Sequence, residues 1–251
     1  MSPAALARRS PRLRWLALFA AICAAAATGA ERQHGDPEAQ AASGAKRQRG
    51  DPAAQAASDE SALEYWDLVA RFESNHRLFA RYMITNEGPG DQYGVAVGHL
   101  VHPDGSISDF RNGRRKGRWH LSPDGLHMKV GSSYLDQREA TRRFGTDNDR
   151  RGIKIHLAFV SDGPVTWREP DGEEPYRVDL LDMSAPVEGT IWVNGMDEPQ
   201  TLRGLVGITH TVVDESESDL VLRRIDFFSL SHGVALYLSD RTRPDGARSR
   251  W

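Results

Sequence analysis

The sequence predicts an all-β protein, an antiparallel barrel that follows an export signal and a short linker. Three observations predict it. From Leu63 onward, apolar and polar residues alternate with period two in short runs. Dipeptides of hairpin type, ending in glycine, separate those runs. Helix-period segments are almost absent. Many strands at short spacing give a sandwich or a barrel, and closure is the simplest way to remove exposed strand edges.

The N-terminus comes first. Arg8, Arg9, Arg12 and Arg14 precede an apolar run from Trp15 to Ala27, and Thr28-Gly29-Ala30 supplies the small residues that signal peptidase prefers. The run is shorter than the roughly 20 residues a membrane-spanning helix needs, so residues 1–30 read as a secretory signal and the mature protein as periplasmic or secreted. Cys23, the one cysteine, lies inside this signal. The mature chain therefore has no disulfide and no Cys-ligated metal, and its core alone must hold it together.

Residues 31–60 contain a duplicated twelve-residue segment, Arg32–Ser43 against Arg47–Ser58, without an aromatic or large aliphatic side chain. Such a stretch buries too little surface to offset its ordering entropy and reads as a disordered linker.

The folded part begins near Ser61. Trp66, Leu68, Ala70 and Phe72 share one strand face, as do Leu78, Ala80, Tyr82 and Ile84, and then Val95, Val97, His99 and Val101. Further strands are expected at 117–121, 126–131, 153–160, 176–181, 189–193, 202–213, 222–230 and 234–238. Turns fall at Asp104-Gly105, Asn112-Gly113, Asp124-Gly125, Asp171-Gly172, Asn194-Gly195 and Asp245-Gly246, and Gln137–Phe144 is the one helical segment. The barrel occupies 61–214; residues 215–251 either close it or begin a second barrel that the sequence truncates.

Net charge is −3 and the pI is near 6.3, so no basic surplus points to nucleic acid. P-loop, dinucleotide, G-x-S-x-G and H-E-x-x-H motifs are all missing, which removes weight from the common enzyme classes and from bound cofactors.

Individual residues carry what chemistry remains. His99 and His102, three apart on a strand, point to opposite faces, so neither is taken as a metal ligand. His210 stands in the apolar strand Gly207-Ile208-Thr209-His210-Thr211 and, if buried, needs partners. Asp226 and Asp240 lie in or at the ends of apolar strands; a carboxyl in such a place is a candidate general acid, against the plainer reading that Asp226 pairs with Arg223 or Arg224 and Asp240 caps a turn. Trp66, Tyr82, Trp119, Trp192 and Phe227 are the candidate ligand-binding aromatics, with core filling as the alternative.

Tyr65-Trp66, Asn112-Gly113-Arg114, Gly117-Arg118-Trp119, Gly189-Thr190-Ile191 and Gly204–Thr211 together resemble the superfamily of tandem lipocalin-like proteins. That superfamily includes AttH-like proteins, carotenoid 1,2-hydratases (hydroxyneurosporene synthases), survival-factor-type lipid-binding proteins and cofactor-free Diels-Alderases. The resemblance covers 65–251 and implies a lipocalin-like barrel. It also implies a site made of His210, Tyr237 and Asp240, where an acid protonates an isoprenoid double bond. Val212 stands where the family motif has tryptophan.

Three functions follow in order of preference. The first is an exported barrel that binds a small apolar ligand, a lipid or isoprenoid, with transient membrane contact compatible with such cargo. The second is a cofactor-independent, hydratase-like lyase on that ligand. The third is a structural domain with a filled interior. No oligomeric state follows from the sequence.

Overall fold

The computed structural model of the chain describes residues 63–86, 92–161, 167–168, 176–213, 217–231 and 234–250. The signal, the linker and the Asp171-Gly172 turn lie outside them. Fifteen strands and one helical turn are present among these residues. They are β1 (Leu63–Phe72), β2 (Arg77–Thr85), β3 (Tyr93–Val101), β4 (Ile107–Arg114), β5 (Trp119–Leu121), β6 (His127–Val130), β7 (Ser133–Asp136) and β8 (Thr141–Asn148), then β9 (Ile153–Val160), β10 (Trp167–Arg168), β11 (Tyr176–Val193) and β12 (Gln200–Val213), and finally α1 (Glu217–Leu220), β13 (Arg223–Ser231), β14 (Val234–Thr242) and β15 (Arg248–Arg250).

The first twelve strands form one antiparallel sheet in the order β4-β3-β2-β1-β12-β11-β9-β8-β7-β6-β5, with β10 added to β11. The sheet curls into a nearly closed, lipocalin-like barrel, so the all-β antiparallel expectation holds. Its inner face is continuous across strands because cross-strand partners share a face. Trp66 lies opposite Tyr82, Leu68 opposite Ala80, and Tyr82 opposite Ala96. Phe72, Phe110, Phe144 and Phe159 complete the interior, all buried. Each such side chain stabilises the fold by about 1.5–3 kcal/mol through removal of apolar surface from water. Tyr82 spans the interior, and its hydroxyl donates to the carbonyls of Tyr134 (2.8 Å) and Gly145 (3.1 Å) on the far wall.

The structure corrects four details. In β3 the inward residues are Ala96, Gly98 and Leu100 rather than the valines, because register with Tyr82, Ala80 and Leu78 selects the even positions. Asn112-Gly113 is no turn but the interior of β4: the Asn112 amide donates to Ser133 Oγ at 2.6 Å, and Gly113 leaves room for the Tyr93 ring, 2.9 Å from where a Cβ would sit. Gln137–Phe144 is not helical, since residues from Thr141 onward pair with β9 and that ladder overrides local helix propensity. Residues 176–193, expected as two strands, form one long strand with two register shifts near Asp182. The turns at Gly105, Gly125, Gly195 and Gly246 do adopt positive φ.

Strands β13, β14 and β15 form a separate three-stranded antiparallel sheet. One of its faces lies on the outer side of β1, β11 and β12: Phe228 packs where Gly207 has no side chain, and Arg224 reaches Tyr65. The opposite face carries Ile225, Phe227, Leu236 and Leu238, exposed by 43%, 53%, 43% and 45%.

Candidate functional site

Paired strands β1 and β12 carry a polar cluster on each face. On the inner face, Trp66 lies opposite His210. Their rings stack at 4.6 Å between centroids with planes 7° apart. His210 Nε2 is 2.8 Å from Glu64 Oε1, and the two residues are 2% and 0% exposed. A carboxylate only accepts, so Nε2 carries the hydrogen and donates it. On the neighbouring strand, Asp179 lies opposite His210 and pairs with Arg177 at 3.1 Å. At the bulge, buried Asp182 accepts from Ser161 (2.7 Å) and is paired with Arg142. This end of the barrel thus gathers buried charges and hydrogen bonds.

The outer cluster centres on Arg224. Its guanidinium donates to Tyr65 Oη (2.9 Å), Thr211 Oγ1 (3.3 Å), Tyr237 Oη (3.3 Å) and Tyr176 Oη, and pairs with Asp226 at 2.7 Å. Tyr65 also donates to Glu217 of α1 at 3.0 Å, and Tyr237 to Asp226 at 3.3 Å. Burial pushes the phenols of Tyr65, Tyr176 and Tyr237 above their ordinary range, so all three are neutral O–H donors at neutral pH. Arg81, paired with Asp67 at 2.6 Å, lies 4.0 Å over the Tyr65 ring.

The four candidate catalytic residues therefore fall in three places. His210 faces the barrel interior; Tyr237 and Asp226 share the outer cluster; Asp240 forms an ion pair with Arg248, with one bond of 2.7 Å. Adjacent residues on a strand point to opposite faces, and Tyr237 and Asp240, three apart, diverge for that reason. The geometry does not assemble the triad that the resemblance implied. The plainer reading of Asp226, as partner of Arg224, describes what is seen.

The candidate ligand-binding aromatics are scattered too. Trp66 and Tyr82 are core residues. Trp119 donates to Gln92 O at 2.7 Å and Trp192 to Met196 O at 3.0 Å. Phe227 alone is exposed among apolar neighbours.

Sequence reasoning missed Glu64, whose one signal was an acid directly before the aromatic pair Tyr65-Trp66 at a strand start. It also missed the convergence of Tyr65, Tyr176 and Arg224, which lie far apart in the chain. No group of three or more His, Cys, Asp or Glu side chains that could hold a metal ion occurs among the described residues.

No protein-family model and no curated protein matches the chain. Solved structures do match. An AttH-type protein of Nitrosomonas europaea superposes with a TM-score of 0.60 at 16% identity, over 84% of this chain and 69% of its own. CghA, solved with Sch210972, superposes with a TM-score of 0.53 at 10% identity, over 76% of this chain and 57% of its own. At these identities the likeness is one of fold.

Proposed function

We propose that the protein is an exported, lipocalin-like carrier of an apolar ligand, a lipid or isoprenoid, held against the outward face of β13 and β14. One observation carries the reading. Of the seven large hydrophobic side chains exposed among the described residues, five lie between Leu222 and Leu238. Four of them alternate onto a single face, with Phe227 directly opposite Leu238. Monomeric soluble proteins rarely leave such a patch uncovered without a use for it. Packed aromatics fill much of the first barrel's interior, which moves the expected ligand contact from Trp66 and Tyr82 to Phe227. In the same reading the β13–β15 sheet belongs to a second lipocalin-like barrel whose inner wall this face lines. The Arg-rich, then apolar N-terminus supports export, and CghA offers a lipocalin-like precedent with a bound small molecule.

A cofactor-independent hydratase-like activity on an isoprenoid taken into the first barrel is the second reading. It is favoured by the buried Glu64–His210 couple, a carboxylate and an imidazole in hydrogen-bond contact, which is the equipment of proton transfer.

Native mass spectrometry of the purified chain with organic extraction tests both. A co-purifying apolar molecule that Phe227→Glu expels supports the carrier. A ligand retained by that variant places the contact elsewhere and overturns the assignment. Turnover of the extracted molecule that disappears in His210→Ala while binding persists would establish the enzyme.

A further inference from the structure

The outer wall of the barrel, away from the β13–β15 sheet, carries a groove that neither reading uses. Tyr134, Gly145, His156, Thr190 and Thr201 are successive register partners across β7, β8, β9, β11 and β12, and so form one row on that wall. The adjoining row is Arg143, Ala158, Glu188 and Arg203. The small side chain of Ala158 leaves a solvent-open groove between the rows, of about 390 Å³, which falls within the size range of ligand sites, roughly 300–1,000 Å³.

His156 and Tyr134 are held at one end of it. His156 Nε2 is 3.0 Å from Asp147 Oδ1, and its Nδ1 is 3.5 Å from the Tyr134 hydroxyl. Because the carboxylate accepts, Nε2 carries the hydrogen of that bond. A side chain at position 145 would overlap the Tyr134 ring, so glycine there lets the ring lie flat across β8. From inside the barrel, Tyr82 bonds the carbonyls of both Tyr134 and Gly145 and pins the same pair from behind. The Tyr134 platform is thus in place before any ligand arrives, which lowers the entropic cost of binding to it.

The ring of Tyr134 offers a flat apolar platform. Arg143 is an exposed guanidinium suited to a carboxylate. Glu188, Thr190 and Thr201 supply acceptors and hydroxyls for a polyol. We propose that this groove binds a uronic-acid sugar residue, its ring on Tyr134, its carboxylate on Arg143 and its hydroxyls on Glu188, Thr190 and Thr201. The site is independent of the apolar face of β13 and β14.

Titration of the full isotope-labelled chain with D-glucuronate, followed by NMR at the His156 ring, tests it. The expected result is a saturable shift with a Kd on the order of 1 mM, absent with D-glucose. Arg143→Gln, an exposed substitution that leaves the fold alone, weakens binding about tenfold. Tyr134→Phe keeps the platform and loses the hydrogen bond, so it weakens binding less. A galacturonate trimer that binds more tightly than the monomer assigns the site to a polysaccharide; equal binding assigns it to the free sugar. A His156 ring that does not respond, or that responds equally to D-glucose and in Arg143→Gln, overturns the proposal.

Discussion

Glu64 and His210 meet at 2.8 Å on the inner wall of the barrel, although 146 positions separate them in the chain. Their bond ties the first strand to the last strand of the large sheet where both side chains are buried, and Trp66 closes it from one side. Glu64→Ala leaves a buried imidazole N–H without its acceptor, at a cost of about 1–3 kcal/mol. Glu64→Gln keeps an acceptor and costs about 1–2 kcal/mol. Urea unfolding measures both. Equal stability of Glu64→Ala and the parent chain would mean that the pair does not hold the strands.

Arg224 fastens the small sheet to the barrel. It bonds three phenols and one carboxylate, and two of those phenols, Tyr65 and Tyr176, belong to the large sheet. Arg224→Met retains length and loses every donor. Asp226 then loses its ion-pair partner while partly buried, at a cost of about 1–3 kcal/mol. Amide exchange of β13 and β14 is expected to accelerate in this variant while β2 and β3 keep their protection. Unchanged exchange in the hairpin would show that apolar contacts, such as Phe228 over Gly207, do the docking.

The contrast between these two clusters explains what the sequence could reveal. Period-two alternation exposed the inner face of β1 and β2, because a side chain's face depends on its own position in the strand. It misassigned β3, where both faces carry apolar residues and only register with Tyr82 and Leu78 decides. The helix expected at Gln137–Phe144 failed for the same reason: its residues favour helix locally, but β9 stands ready to pair with them. His210 was visible as an oddity in an apolar strand. Its partner was not, since nothing local marks Glu64 as the residue that register brings alongside. The Arg224 cluster draws on β1, β11, β12, α1, β13 and β14, and no spacing rule spans those distances.

Phe227 occupies the centre of the uncovered face, opposite Leu238. Its side chain is already half in water, so Phe227→Glu changes stability by no more than about 0.5 kcal/mol. The same change breaks the apolar patch and is expected to lower binding of a fluorescent hydrophobic dye. A large loss of stability would show that the face is covered in solution by more of the chain or by a second copy.

Acid weakens the fold through two histidines. Burial, then the nearby His102, holds His76 below the usual imidazole range, and burial does the same to His99 against the opposing pull of Asp109. Ser74 and His102 face His76, with Asp104 nearby; Phe79 lies against His99. A folded-state pKa below the unfolded one means that the unfolded chain binds the proton more readily. The stabilisation is complete above about pH 6.5 and is lost as pH falls from there toward the folded-state values. Asp136, held at about 2 by its hydrogen bond from Arg138, stays charged throughout and adds nothing to the slope. Melting temperature is therefore expected to fall between about pH 7 and about pH 5, and His76→Gln to flatten that dependence. A His76→Gln profile as steep as the parent's would place the proton uptake at another residue.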